Sequence, residues 1–385
     1  MSITQYSNFF SLCIMLPLFI PAIVLGLLGK PLKYYAAAVS IPALCLIMGF
    51  KSMQTLQFLI FMAFEMFLIY AYYYLHKKYK NKYIYYTIFA LSILPVVAVK
   101  ACVYTSDFSF LGFLGISYVS FRIWQMIIEI HDEHIEKLSI WETLYFITFF
   151  PTISSGPIDR YKRFKDDLDK KISRKEYLEE YLIIGIKKIL LGITYKFAIA
   201  NLINIYFINN ASAEKTFLNV IVYMYAYTMY LFFDFAGYSA FAIGTSYVLG
   251  IKVPENFDKP FLAHNMKEFW DRWHISLSKW FGDYLFSRFV LNMVRSKKIK
   301  SKKTAIRCGY MLTMLTMGLW HGFYLFYITY GAYQGLMLIL TDIYTKSKMY
   351  RNFKKSKYYD LVSRIVCFHI VAFGMLIFSG YLFNF

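Results

Sequence analysis

Charged side chains are scarce in this sequence. They make up 17% of the 385 residues, against roughly 25% in soluble proteins. Hydrophobic residues reach 58%, aromatic residues reach 21%, and the mean hydropathy is +0.45. A soluble chain cannot bury that much apolar surface. The composition therefore indicates an integral membrane protein and excludes disordered, fibrous and small disulfide-stapled classes.

Cysteines and N-terminal basic residues are also few. No lysine or arginine precedes Lys30, so 1–28 lacks the basic region that opens a signal peptide and is predicted to be a retained first span. The five cysteines lie in or beside apolar segments without C-x-x-C spacing, and we expect buried apolar thiols rather than disulfides or a metal site. They are Cys13, Cys45, Cys102, Cys308 and Cys367.

Several motifs of soluble catalysis are absent. Neither G-x-x-x-x-G-K-[ST] nor G-x-G-x-x-G occurs, so we expect no nucleotide site and no ATP-driven pump. A G-x-S-x-G nucleophile elbow is missing too, and no cysteine–histidine arrangement is evident. A covalent acyl-enzyme is therefore without support.

Apolar runs long enough to cross a ~30 Å hydrocarbon core recur along the chain. The stretch 140–155 is shorter and contains Pro151, which is typical of a re-entrant or interfacial segment. The sequence therefore predicts an all-α, polytopic transmembrane helical bundle of about ten or eleven spans, in a single domain over 1–385. The long runs lie near 9–28, 34–50, 54–75, 83–104, 110–128, 181–208, 217–250, 305–322, 323–343 and 361–384.

Basic residues outnumber acidic residues by 42 to 23 and cluster between the apolar runs. Lysines and arginines concentrate in 76–82, 156–180 and 295–307, whereas 209–216 holds only Lys215. Because positive charge marks the cytoplasmic side, we expect these three loops inside the plasma membrane. Segment 209–216 and the N-terminus are expected outside. The sequence does not decide on which side of the membrane the C-terminus lies.

Segment 266–290 combines aromatic and charged residues at helical spacing. Its pattern predicts one amphipathic helix at the membrane interface, with the tryptophans at headgroup level. His274 complicates a purely lipid-binding interpretation, since it lies one turn from both Trp270 and Ser278. The apolar stripe consists of Trp270, Trp273, Leu277, Trp280, Phe281 and Leu285.

His321 stands inside an apolar run between Gly318 and Gly322. An ionisable residue at membrane depth is costly and is a functional candidate by default. The glycines allow a helix or a substrate to approach the backbone closely. The alternative is a structural histidine bonded to a tyrosine such as Tyr324.

Asp234 and Arg122 are further polar residues within apolar runs. Each is a candidate for intramembrane polar support, either as a functional group or as half of a structural polar pair. His131 and His134 follow the fifth run, and their i, i+3 spacing differs from that of the H-E-x-x-H zinc motif. We expect these two histidines to be solvated, with a metal site as the alternative.

The chain resembles the membrane-bound O-acyltransferase (MBOAT) family at these segments. The shared motifs are DFAGYSAFAIG at 234–244, FWDRWHISLSKWF at 269–281, and MGLWHG with YGAYQG within 317–335. FFPTISSGPIDRYKRF at 149–164 narrows the resemblance to the DltB branch, which transfers D-alanine in teichoic-acid modification. The similarity covers nearly the whole chain, which is slightly short around 50 and 103–110.

The resemblance implies an acyltransferase in which His321 is the catalytic residue and His274 the second functional position. The implied donor is D-alanine, held as a phosphopantetheine thioester on a small acidic D-alanyl carrier protein of the DltC type. The chain itself is expected to bind no cofactor. The implied acceptor is a hydroxyl of lipoteichoic or wall teichoic acid. A DltD-type membrane-anchored protein and a short DltX-like peptide are implied partners.

The expected chemistry needs no ATP, because a thioester is already an activated acyl donor. Neutral His321 can accept the proton of the attacking hydroxyl as a general base. Two alternatives stay open. One is a polysaccharide O-acetyltransferase of the same superfamily with another acyl donor. The other is a transporter or flippase of cell-wall intermediates, which broken and repeated spans would favour.

The end of segment 266–290 is the predicted docking surface for the carrier. A basic patch steers an acidic partner, and an apolar ridge fixes its register. The alternative is that the lysines only bind anionic lipid. The predicted docking residues are Phe289, Val290, Leu291, Met293, Arg295, Lys297 and Lys298.

Overall fold

The computed structural model describes residues 14–49, 53–102, 112–213 and 216–383. Cys13, Lys215 and the short regions around 50 and 103–110 lie outside them. Within the described residues the chain is helical nearly throughout and contains no β-strand, only an isolated bridge between Phe257 and Trp273. The predicted all-α class is confirmed.

The chain divides into two compact units. The single membrane domain over 1–385 stays a prediction. The first comprises Met1–Phe197 and Gly237–Pro254, and the second comprises Ala198–Ala236 and Glu255–Phe385. Each unit therefore takes two separate stretches of chain.

Helices make up both units. The first unit contains α1 (Ile20–Leu27), α2 (Lys33–Met48), α3 (Met53–Tyr79), α4 (Lys82–Ala101), α5 (Ile116–His131), α6 (Ile140–Thr148), α7 (Tyr161–Asp169) and α8 (Ile183–Gly192). Helix α9 (Phe217–Val248) begins in the second unit and ends in the first. The second unit continues with α10 (Met266–Arg272), α11 (Ile275–Phe281), α12 (Ser287–Arg295), α13 (Lys302–His321), α14 (Leu325–Thr345), α15 (Lys348–Phe353) and α16 (Tyr359–Phe378).

Helices α3, α4, α9 and α16 are long and apolar enough to cross a membrane, and two shorter apolar helical segments lie at Leu16–Leu27 and Lys33–Met48. All ten predicted apolar runs overlap helices in the described part of the chain. Helix α6 has 9 residues and precedes a 3₁₀ turn at Phe150–Thr152, so 140–155 is too short to span, as predicted. The count of ten or eleven spans stays a prediction.

The prediction of one continuous amphipathic helix over 266–290 is wrong. Trp273 and His274 leave the helical conformation between α10 and α11, because Trp273 pairs with the backbone of an earlier loop. Trp270, Trp273 and Trp280 are only 6%, 4% and 5% exposed. Periodicity correctly marked an apolar face, but that face packs inside the protein instead of meeting lipid headgroups.

Arg122 is fully buried on α5 and binds backbone oxygens. Its guanidinium donates to the carbonyl oxygens of Phe146 and Ile147, both at 3.0 Å, and of Thr152 at 2.8 Å. These carbonyls lie in the last turn of α6 and in the short 3₁₀ turn after it, and the last carbonyls of an α-helix have no α-helical partner. Arg122 therefore stabilises a break in helical structure within the first unit.

Glycines bring α8 against the end of α9 in the first unit. A Cβ on Gly192 would lie 2.9 Å from the carbonyl oxygen of Gly237, and one on Gly185 would lie 2.9 Å from that of Gly244. Such distances leave no room for a side chain, so the helices meet backbone to backbone. Gly237 and Gly244 therefore admit a neighbouring helix.

His131 is half-buried, so the prediction that it is solvated is wrong. Its Nδ1 lies 2.8 Å from the Tyr72 hydroxyl, which also lies 3.3 Å from Nδ1 of His76. The His131 ring stacks on Tyr85 with centroids 4.0 Å apart. Tyr72 of α3 and Tyr85 of α4 thus cover His131, although it is the last residue of α5. No group of three or more metal-ligating side chains occurs within the described ranges.

Candidate active site

Helices α13 and α14 form a closely packed hairpin, and His321 is the last residue of α13. A Cβ on Gly331 would lie 2.5 Å from the carbonyl oxygen of Met314, and one on Gly318 would collide with the backbone of Tyr327. Only glycine permits this approach of the two helices. The expectation for Gly318 is confirmed, and the close neighbour is α14.

Aromatic rings surround the imidazole of His321. Its centroid lies 4.6 Å from that of Trp320, 4.8 Å from that of Phe378 and 5.5 Å from that of Tyr327. The side chain is half-buried. Packing of this kind restricts the orientation of the ring, while its incomplete burial leaves the ring within reach of a reacting group.

His274 occupies the break between α10 and α11 with φ of +46°, in the left-handed region. Asn256 holds the start of α11 in place. Its Oδ1 accepts from the backbone N–H of Ser276 at 3.2 Å and from the Ser276 hydroxyl at 2.6 Å, and its carbonyl oxygen accepts from Ile275 N–H at 3.0 Å. Asn256 therefore satisfies N–H groups that the first turn of a helix leaves free.

The imidazole of His274 is 5% exposed and meets the ring of Phe235 edge to face, with centroids 4.7 Å apart. Burial lowers the pKa of His274 below its ordinary value, and the nearby His321 lowers it further. Both histidines belong to the second unit. His274 is neutral at physiological pH.

A cavity of about 470 Å³ lies in the second unit. Its lining includes Ile275, which follows His274, and Met317, one turn before His321. The lining mixes apolar side chains with the charged residues Lys267, Asp271, Lys279 and Asp283, and neither histidine is part of it. Concave sites with a few polar groups on apolar walls are the usual places of ligand binding. A π-helical turn at Gly282–Phe286 forms part of the wall, and such turns are frequent at functional sites.

Comparison with known proteins identifies the family. The model of the membrane-bound O-acyltransferase family matches residues 43–383. The chain belongs to this family. A teichoic acid D-alanyltransferase of Bacillus subtilis is 47% identical over 269 residues, covering 69% of this chain and 68% of that protein. The corresponding protein of Streptococcus thermophilus is 39% identical over 71% of this chain and 70% of its own length.

More distant relatives of this O-acyltransferase carry another name. A probable alginate O-acetylase of Pseudomonas syringae is 30% identical over 61% of this chain and 42% of that protein. The resemblance read from the motifs is confirmed, and the chain is a membrane acyltransferase.

The predicted docking ridge of this acyltransferase is only partly on the surface. Leu291 on α12 is 53% exposed, whereas Val290 is 9% exposed and packs towards Gly309 of α13, its Cγ2 lying 3.0 Å from where a glycine Cβ would stand. Phe289 and Met293 are half-buried. Among the predicted apolar docking residues, Leu291 rather than Val290 is therefore the most exposed. The basic residues Arg295, Lys297 and Lys298 are exposed.

The two predicted polar support residues have different positions. Asp234 is half-buried on α9 and precedes Phe235, the residue that contacts His274. Arg122 lies in the first unit, where it binds the carbonyls described above. Asp234 therefore lies in the same unit as the two histidines and adjoins, along the chain, a residue that contacts His274. Arg122 instead binds backbone carbonyls of the first unit.

Two polar residues near the site are not among the sequence predictions. Gln334 on α14 is fully buried and accepts from Trp270 Nε1 at 3.3 Å, which ties α10 to α14. A side-chain amide inside the apolar run 323–343 is unusual, and this feature of the sequence could have identified Gln334 as a candidate. Asn256 carries no such signal, because it lies in a loop where asparagine is common.

Replacing His274 with glycine distinguishes the role of the imidazole from the role of the left-handed backbone turn. Glycine adopts a positive φ without steric cost, whereas alanine in the left-handed region costs roughly 1–2 kcal/mol. We expect H274G to unfold at a temperature no lower than H274A, although it is the smaller residue, and both to lose at least tenfold in acyl transfer. Thermal unfolding in detergent and a transfer assay measure the two effects.

H274N is the matched control for this prediction, because asparagine tolerates the left-handed region and keeps a polar side chain. Wild-type transfer by H274G would contradict a functional imidazole at this position. It would leave His274 with a role in the backbone turn alone.

Proposed function

We propose that this O-acyltransferase moves D-alanine from a carrier-bound thioester to a hydroxyl of teichoic acid. The observation that carries the proposal is that His321 and His274 belong to the same compact unit, in which Ile275 and Met317 line a cavity of about 470 Å³. The choice of D-alanine as the acyl group and of teichoic acid as the acceptor is taken from the names of relatives up to 47% identical.

His321 is the general base in this proposal. Its imidazole takes the proton of the attacking hydroxyl while the hydroxyl oxygen forms a bond to the thioester carbonyl carbon. The tetrahedral intermediate then collapses, the carbon–sulfur bond breaks, and the thiolate leaves and receives the proton. The products are an ester and the free thiol of the donor. No outside reductant, oxidant or nucleotide is needed for this balance.

His274 is placed to assist the carbonyl group. Because its lowered pKa keeps it neutral, it retains one N–H donor and one acceptor nitrogen. A neutral N–H can hydrogen-bond the oxygen on which negative charge develops. Orientation of the donor by the same N–H is the other role, and both depend on the left-handed turn that fixes the ring.

The donor's phosphopantetheine arm is proposed to enter the cavity from the side of α12. Phe286 and Ser287 line the cavity at the start of this helix. Leu291 follows Ser287 by one helical turn, or about 6 Å. The exposed basic residues 295–298 come directly after it. An acidic carrier of the DltC type would meet Leu291 and these charges with its arm directed at the cavity.

The remaining assignments extend the same proposal. The acceptor is lipoteichoic or wall teichoic acid, and a DltD-type protein and a DltX-like peptide assist the transfer. The enzyme lies in the plasma membrane with its N-terminus outside. The relatives named alginate O-acetylase favour an acetyl donor as the second candidate, with identity of 30% against 47% for the D-alanyltransferase.

Alanine in place of His321 should abolish transfer. We expect H321A to insert and fold but to lose at least a hundredfold in D-alanyl transfer, the range in which a general base contributes. Label from a loaded carrier is followed into teichoic acid in reconstituted vesicles. H369A is the matched control, since His369 is exposed on α16.

Retention of transfer by H321A would contradict the catalytic role of His321. Faster transfer from an acetyl thioester than from a D-alanyl thioester would favour the O-acetylase assignment. Movement of intermediates without any covalent transfer would favour a transporter.

Aspartate in place of Leu291 should weaken carrier binding. L291D adds a negative charge to the exposed ridge, so we expect at least a tenfold loss of affinity for the acidic carrier without loss of folding. Carrier affinity is measured on the protein in nanodiscs. M349D is the matched control, because Met349 is 67% exposed on another helix next to basic residues. Equal losses of carrier affinity in L291D and M349D would contradict docking at α12. Segment 156–180 would then be the next candidate for the docking surface.

The proposed orientation is tested with single cysteines in a background without the five native ones. A cysteine at Lys300 should be protected from an impermeant thiol reagent in intact cells, because basic loops stay inside. A cysteine at Asn210 should be labelled. Labelling of position 300 from outside would refute the orientation and the proposed side of carrier docking.

A further inference from the structure

A second cleft lies in the first unit, apart from the two histidines in sequence and in fold. Its volume is about 330 Å³. Three segments and one further residue line it. The segments are the turn between α1 and α2, the end of α7 with the loop that follows, and residues 249–251 after α9, and the further residue is Tyr145 of α6. Left-handed turns at Gly29 and Gly250, with φ of +64° and +82°, shape two of these segments.

Four lysines line this cleft, at positions 30, 33, 170 and 171. Lys33 pairs with Asp169 at 3.8 Å, and Lys170 pairs with Glu176 at 2.5 Å. Lys30 and Lys171 are exposed, and neither forms an ion pair within the described part of the chain. Two positive charges therefore remain unmatched at the cleft.

The two acidic residues of the cleft do not cancel its positive charge. Asp169 faces Lys33, as above. Asp167 accepts from the backbone N–H of Lys252 at 2.8 Å and lies 3.9 Å from the guanidinium of Arg163, which also pairs with Asp159. Four lysines against two aspartates leave the lining positive, which favours an anion.

Tyr145 supplies a buried donor at the same place. It lines the cleft and is 4% exposed, and its hydroxyl has no hydrogen-bond partner among the described residues. Burial raises the pKa of this hydroxyl, so it stays protonated. A buried hydroxyl without a partner is costly, and a bound anion would satisfy it.

The N-terminus of α2 adds backbone donors. Its first-turn residues Lys33 and Tyr34 line the cleft, and Leu32 at the N-cap has no side chain that caps them. The free N–H groups and the helix dipole favour a negative group at this end. The hydroxyl, the lysines and the helix end are three independent donors at one cleft.

The cleft borders a surface that suits lipid chains. Ile20, Val24 and Leu28 are 60%, 50% and 65% exposed and recur every four residues, so they form one apolar face along α1. Tyr34 at the cleft is 66% exposed, and tyrosines are enriched at the membrane–water interface. A ligand with a phosphate head and apolar chains fits both the basic cleft and the apolar face of α1. A soluble phosphate fits the basic cleft alone.

We propose that this cleft binds the headgroup phosphate of an anionic phospholipid, with Tyr145, Lys30 and Lys171 as its side-chain donors and the face of α1 against the acyl chains. This site is independent of the acyl-transfer chemistry, and binding alone tests it. The ligand class is a phosphodiester at the membrane surface.

Y145F tests the proposal most sharply. Removing a hydroxyl that has no protein partner should leave the unfolding temperature unchanged or raise it. If the hydroxyl donates to phosphate, affinity for phosphatidylglycerol should fall about tenfold, the loss expected for a hydrogen bond to a charged group. Lipid binding to the purified full chain is measured by native mass spectrometry, with phosphatidylcholine as the uncharged reference.

Charge variants form the second arm. K30Q/K171Q should lower affinity for phosphatidylglycerol and flatten its salt dependence. K354Q/K355Q removes the same charge from two exposed lysines elsewhere and should change neither. Wild-type affinity in both Y145F and K30Q/K171Q would overturn the proposal. Inorganic phosphate that displaces the lipid at equal concentration would assign the cleft to a soluble phosphate and overturn the lipid assignment.

Discussion

A backbone that leaves the helix inside an apolar protein must have its polar groups satisfied by the protein itself, and the candidate site depends on this constraint. Trp273 and His274 make such a break between α10 and α11. Asn256 makes it stable, since its side chain and carbonyl accept from the first N–H groups of α11. The orientation of His274, and with it the approach to His321, therefore rests on an amide that has no part in the chemistry.

The same constraint explains which polar residues of the apolar runs are structural. Arg122 donates to carbonyl oxygens at the end of α6 and in the following turn, as Asn256 serves the start of α11. A polar residue whose donors are used by backbone carbonyls supports the fold. At His321 the rings of Trp320 and Phe378 pack against a half-buried imidazole.

Much of the fold was predictable from the sequence, because apolar runs and glycine spacing are local patterns. The ten runs overlap helices, and Gly318 admits a neighbouring helix. The break at His274 was not predictable, since helical spacing of tryptophans carries no information on the sign of φ or on a distant partner such as Asn256. Burial of Val290 was missed for a related reason, because only the position of α13 decides which side of α12 is covered.

Close packing between helices helps to position His321. The contact of Gly331 with the Met314 carbonyl fixes the register of α13 against α14, and the ring of Phe378 on α16 packs against the imidazole. A general base gains most when its nitrogen is held at the reacting proton, because orientation removes entropy from the barrier. The direction of the His321 side chain is therefore set in part by glycines and rings several turns away, which are residues that do not themselves exchange a proton.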